Sequence, residues 1–203
     1  MAGQFPTDPN FRSISFTSNS PTLVNQTLSG RRQARQIGAQ YFSFTVQMPP
    51  LQQEKAQEVF AFLNKQKGSF DTFTIKAPLD NLGVGKGETD IEVRFGYPVS
   101  AGSEQVTLEG FTASTTNVLK GGDLIKFANH NKVYMVRGDV DSDGLGHATV
   151  NITPGLVDSV VSDEAVTVNK PAFEVYLESN DIMYTTDASG FYNISFDVRE
   201  VIT

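Results

Sequence analysis

Residues 39–48 read AQYFSFTVQM and residues 49–68 read PPLQQEKAQEVFAFLNKQKG. In the first stretch Tyr41, Ser43 and Thr45 alternate with Phe42, Phe44, Val46 and Met48. A period of two with one apolar face is the mark of a half-buried strand. The second stretch changes period. Leu51, Ala56, Val59, Phe60, Phe62 and Leu63 fall at helical spacing, so they form an apolar stripe that covers a sheet face. Prolines open this segment and are tolerated in a first helical turn, and Glu54 suits the N-terminal end. Lys65 and Lys67 suit the C-terminal end, and Gly68 is the expected stop. Alternation then resumes in SFDTFTIKAP, residues 69–78, with Phe70, Thr72 and Thr74 opposite Phe73 and Ile75. Upstream, FRSISFTSN at 11–19 also alternates. The N-terminal part is strands, one helix and a strand.

After residue 78 the texture changes. LDNLGVGKGETD is glycine-rich and polar and reads as a linker. Gly83, Gly85 and Gly87 lack the spacing of a dinucleotide loop, and no helical pattern follows them. Short strands then recur at near-regular spacing: DIEVRFGY, EQVTLEGF, DLIKFAN, KVYMVRGDV, HATVNITP and EAVTVNKP. Turn residues between short strands spell a small all-β barrel or sandwich. Pro171 closes the series, and FEVYLES and YNISFDVREV return to longer strands. The fold expected is mainly β. One discontinuous domain is formed by 1–78 and 171–203, and a small barrel at 79–170 is inserted between its halves.

The 203 residues include no cysteine, which removes disulfides, thiolate nucleophiles and cysteine metal sites. No apolar run approaches the roughly 18 residues of a membrane span, and MAGQFPTDPN lacks the layout of a secretory signal. Synthesis in the cytoplasm without membrane insertion is the expectation. A net charge of −7 argues against binding nucleic acid through its phosphates. Residues 1–78 hold eight Lys/Arg against four Asp/Glu, whereas 171–203 hold one against six. The two ends have opposite sign, which permits them to dock. His130 and His147 are the two histidines, both in polar turns, and no nucleophile elbow, zinc-binding pair or phosphate loop occurs. No catalytic, cofactor-binding or metal-binding residue is assigned, and an enzyme is not expected.

Two stretches invite a functional reading. RGDVDSDGLGHATV, residues 137–150, carries Asp139, Asp141, Asp143 and Gly144 in the order that opens a calcium loop. Such a loop needs a bidentate glutamate at its twelfth position and flanking helices. The twelfth residue is Val150 and the flanks read as strands, so the favoured reading is a hairpin bend. The second is SGRRQARQIG, which gathers Arg31, Arg32 and Arg35 between predicted strands. Either it is a solvated tip or it contacts another subunit, because arginine is enriched at protein interfaces.

In order and texture the chain resembles the distal tail proteins of long-tailed siphophages, in particular the type with a small inserted barrel. The resemblance runs from FRSISFTSNSPTLVNQTLSGRRQARQIGAQYFSFTVQM through the helix to Ala77-Pro78, then through VLKGGDLIKFANHNKVYMVRGDVDSDGLGHATVNITPGL to the returning strands FEVYLES and YNISFDVREV. It implies a tail-tube-like β-sandwich or barrel with one flanking helix, plus an inserted OB-like barrel. It also implies a structural virion protein at the tail tip. That protein would form a homohexameric ring joining the tail tube protein to the baseplate hub and leave a channel for DNA. Side fibres or host glycans are further partners the resemblance implies. A tail-tube subunit, or a carbohydrate-binding module working through the barrel, are the alternatives.

Overall fold

The structure is a computed structural model and describes residues 3–8, 10–186 and 188–202. The chain is mainly β. In chain order, β1 (Ser13–Asn19), β2 (Thr22–Gln26), β3 (Arg32–Gln36) and β4 (Tyr41–Gln47) lead to α1 (Gln53–Lys65) and β5 (Phe73–Lys76). After a short 3-10 helix at Val84–Gly87 come β6 (Glu92–Val93), β7 (Gln105–Glu109), β8 (Leu124–Phe127), β9 (Val133–Val136), β10 (Ala148–Thr153) and β11 (Val166–Thr167). β12 (Ala172–Leu177), β13 (Tyr184–Thr186) and β14 (Tyr192–Glu200) close the chain. No described helix is long and apolar enough to cross a membrane.

Two compact units form, one from Pro6–Thr72 with Val175–Glu200, the other from Phe73–Glu174 with short terminal pieces. In the first unit β1, β4, β14 and β12 pair in that order, with β13 along β14. β4 sits at the centre because it can bury one whole face. Phe42, Phe44, Val46 and Met48 are all buried, while Tyr41, Ser43 and Thr45 are not. The other face is polar and pinned, with the Thr45 hydroxyl donating to Asp197 Oδ1 at 2.6 Å and the Arg199 guanidinium 3.6 Å from the Tyr41 ring centroid. α1 lies against β14 and buries Ala56, Val59 and Leu63. Its start differs from the expectation. Leu51 exchanges backbone hydrogen bonds with Tyr192 at 2.9 Å in each direction, so Pro49 and Pro50 precede the helix instead of opening it. Its end differs too: the helix closes at Lys65 with Gln66 as C-cap, and Lys67 already takes a left-handed φ of 56°, ahead of Gly68 at φ +68°, where a Cβ would meet Asn180 Oδ1 at 2.5 Å.

In the second unit the strand order is β11-β8-β9-β10-β7-β6. Its two ends meet. Glu92 bridges Ala165, the Val93 N–H donates to the Glu164 carbonyl at 2.9 Å, and the Val166 N–H donates to Ile91 at 2.8 Å. The six strands therefore make a nearly closed barrel, which leaves little free edge. Inward residues of β10 (Ala148, Val150, Ile152) join Val106, Leu108, Ile125, Phe127, Tyr134 and Val136 in its core.

The glycine-rich stretch after residue 78 is stitched to this barrel, not a loose linker. Asn81 Nδ2 donates to the carbonyls of Leu124 and Val168, and its Oδ1 accepts the Leu124 N–H. Buried Asp123 accepts three backbone N–H groups, from Leu82 (2.6 Å), Gly83 (2.9 Å) and Lys120 (2.9 Å). The glycines allow close approach. A Cβ on Gly83 would lie 2.3 Å from the Val118 carbonyl oxygen and one on Gly85 2.9 Å from it.

Candidate functional site

Between β1 and β4 the chain makes a second, smaller sheet that contains β2 and β3 alone. Thr22 pairs with Gln36, Val24 with Ala34 and Gln26 with Arg32. At its tip the Thr27 N–H donates to the Arg31 carbonyl (3.0 Å), the Thr27 hydroxyl accepts the Arg31 N–H (3.1 Å), and Gly30 takes a φ of +79°. At its base the Ile37 N–H donates to Pro21 at 3.0 Å.

This hairpin has no buried side. Every residue from 22 to 39 is exposed, and that includes Leu23, Val24, Leu28 and Ile37. Residues that pair share a face, so Val24, Ala34, Gln26 and Arg32 lie on one side and Leu23 and Arg35 on the other. The three arginines therefore do not form one patch. Arg31 sits in the turn, and Arg32 and Arg35 occupy opposite faces of β3. In the sequence all three read as lying between strands, whereas Arg32 and Arg35 are on one. Among the described residues no carboxylate pairs with any of the three, and the sequence from 10 to 53 has no acidic residue.

In the barrel unit, the aspartates of residues 137–150 act on the backbone. Asp139 Oδ1 accepts the Gly121 N–H at 3.1 Å and Asp141 Oδ1 accepts the Asn117 N–H at 2.7 Å. Asp143 Oδ1 accepts the N–H groups of both Leu145 and His147 at 2.8 Å, which holds its carboxyl below the usual range even though it is exposed. The stretch connects β9 to β10, which pair at Val136 and Ile152, so it is a long hairpin connection with its tight bend at 143–147. Its acidic spacing serves to hold the 114–121 loop and that bend. Close by, Glu92, Glu109 and Asp163 bring one carboxylate oxygen each within 4.8 Å of one another. They are far apart in sequence, and an acidic trio alone does not make a metal site.

The histidines have separate settings. His147 lies 3.1 Å from Asp143 Oδ2 through Nδ1 and 3.5 Å from Glu109 through Nε2. His130 is buried beside Phe127 and Tyr134. Desolvation lowers its pKa, Lys126 adds to that effect and Asp158 opposes it.

No family model matches the chain. Over 192 residues, which is 94% of this chain and 91% of the relative, it is 23% identical to a protein of Escherichia phage T5 named "Distal tail protein pb9".

Proposed function

We propose that the chain is a structural subunit of a phage tail, a distal tail protein that closes into a ring through its β2–β3 hairpin. The observation that carries this reading is the hairpin itself. A lone two-stranded hairpin is marginal in water, and this one holds four exposed aliphatic side chains and three arginines that no described residue pairs with or buries. Such an element gains its packing from another molecule. The near full-length similarity to the T5 protein supports the choice of a tail component. The acidic 171–203 segment of an adjacent copy offers carboxylates for the arginine forks.

In this reading the domain made by 1–78 and 171–203 is tail-tube-like and builds a six-membered ring around a DNA channel. The ring joins the tube to the hub at the tail tip, while residues 79–170 form an inserted OB-like barrel. The protein acts by assembly and not by catalysis. A tail-tube subunit would share the ring but stack into long polymers. Sedimentation and negative-stain imaging of the purified chain, alone and with tube and hub proteins, separate these readings. Closed rings that stop at one or two layers are expected. Long tubes would favour the tube subunit, and a monomer under every condition would overturn the proposal.

A further inference from the structure

A groove of about 220 Å³ opens beside α1, lined by Ala56, Gln57, Phe60, Tyr184 and Tyr192. On the β13–β14 ladder Tyr184 pairs with Ile194 and Thr186 with Tyr192, so these four side chains share one face of the two strands. Ile194 is buried, while Tyr184 stays exposed and Tyr192 half-buried. Phe60 meets Tyr184 edge-on, with ring centroids 4.9 Å apart and planes at 88°, and the Tyr184 ring lies 5.5 Å from that of Tyr192. The groove is thus three aromatic rings held by a helix and a strand pair. Its volume falls below the roughly 300–1,000 Å³ of small-molecule sites, so it suits an inserted side chain better than a free ligand.

The β2–β3 hairpin presents a side chain of matching kind. Leu28 sits in its tip, where the Gly30 N–H donates to the Thr27 carbonyl at 2.9 Å, and it is fully exposed. Charge matches as well. Residues 10–53 hold no acidic side chain, and residues 171–198 hold no basic one. Glu178 and Asp181, just ahead of Tyr184 in the chain, are exposed, and their carboxylates have no ion-pair partner among the described residues. The same holds for Arg31, Arg32 and Arg35.

We infer that Leu28 of one copy inserts into the Phe60–Tyr184–Tyr192 groove of a second copy, with the hairpin arginines set against Glu178 and Asp181. This rests on the ring reading above and names the surface that receives the hairpin. Knob and groove are different surfaces of one chain, so the contact runs head to tail, the kind that closes a ring instead of stopping at a dimer. The leucine and the aromatic rings give it an apolar centre, and the charges at the rim fix orientation more than strength. Every residue involved belongs to the unit of Pro6–Thr72 with Val175–Glu200, so the contact needs nothing from the barrel.

The test uses the full chain. In sedimentation, Leu28→Glu and Tyr184→Glu are each expected to weaken self-association roughly tenfold or more. The double variant should be no worse than either single one, because both remove the same contact. The chain has no cysteine of its own, so a cross-link gives a second readout that does not depend on how well Tyr184→Glu folds. Oxidising a mixture of Leu28→Cys and Gln57→Cys copies should join unlike copies by a disulfide, which requires close approach. Leu28→Cys mixed with Val161→Cys, an exposed position in the barrel unit, should not link. Rings that persist in Tyr184→Glu, or assembled mixtures without the Leu28–Gln57 cross-link, would overturn the groove and leave the ring reading standing. A parent chain that never assembles, alone or with tube and hub proteins, would overturn both.

Discussion

The Tyr134 hydroxyl lies 2.7 Å from Nε2 of His130 and 3.0 Å from the backbone nitrogen of Val157. Asn129 Nδ2 donates to the Ser159 carbonyl, which turns its Oδ1 to His130 Nδ1 as an acceptor. In the neutral ring Nε2 therefore accepts the Tyr134 hydroxyl proton, while the hydroxyl oxygen accepts the Val157 N–H. The ring proton then sits on Nδ1, 2.8 Å from Asn129 Oδ1. Both ring nitrogens are satisfied in the neutral form, and a second proton would set a donor against the tyrosine hydrogen. Burial and Lys126 act in the same direction, against partial opposition from Asp158. The folded pKa therefore lies below the unfolded 6.5. The unfolded chain takes up the proton first as pH falls, so the His130 contribution to stability is complete above 6.5 and declines below it. Melting temperatures across this range should fall with pH, and His130→Phe should flatten the difference. An unchanged slope in the variant would assign it elsewhere.

Gly83 and Gly87 offer a matched pair. A methyl at Gly83 meets backbone on two sides, Val118 O at 2.3 Å and Leu119 Cα at 2.6 Å, and backbone cannot swing away. Gly83→Ala should cost about 1–3 kcal/mol in a denaturant titration. Around Gly87 nothing lies within 4 Å and its φ is not positive, so Gly87→Ala should be neutral or stabilise by about 0.5 kcal/mol. Equal effects at both positions would refute the packing account.

Asp123 answers three N–H groups from one carboxylate. Asp123→Ala leaves them facing a cavity and should destabilise the protein by about 2–4 kcal/mol. Asp123→Asn is no gentle substitute, because one of its two oxygens becomes an NH₂ aimed at donors. Thermal melts should place Asn much nearer to Ala than to the parent.

Arg32 and Arg35 lie on opposite faces of one strand, so charge reversal should separate them. Either Arg32→Glu or Arg35→Glu should leave the melting curve within about 0.5 kcal/mol of the parent, because neither side chain has a partner among the described residues. Their effects on ring assembly should differ and grow weaker at high salt. Sedimentation across a salt series measures both, and assembly indifferent to both reversals would remove the arginines from the contact.

Much of the β architecture is legible from alternation. β4, β10 and β14 each bury one face, so their apolar residues recur every second position, and α1 announces itself by the change of period. The β2–β3 hairpin is not legible this way. With no buried side it has no apolar period, and its residues read as a loop carrying arginines. The stretch after residue 78 is misleading for another reason. It is held by Asn81 through Leu124 and Val168 and by Asp123 through Leu82 and Gly83, bonds that span 40 to 87 residues, and side chains that serve distant backbone leave no local pattern. Asp139 and Asp141 mimic a calcium loop because their spacing places them at Gly121 and Asn117, a relation the sequence alone does not display.

The bare hairpin has one more consequence. Because no side chain from 22 to 39 is buried, folding exerts almost no preference over which residues stand there, provided Gly30 and the backbone ladder are kept. A saturating mutant library sorted for thermal survival should therefore drift freely across these positions. The same library sorted for self-association should not. The distance between the two tolerance profiles would draw the outline of whatever presses against the hairpin, without a structure of the complex.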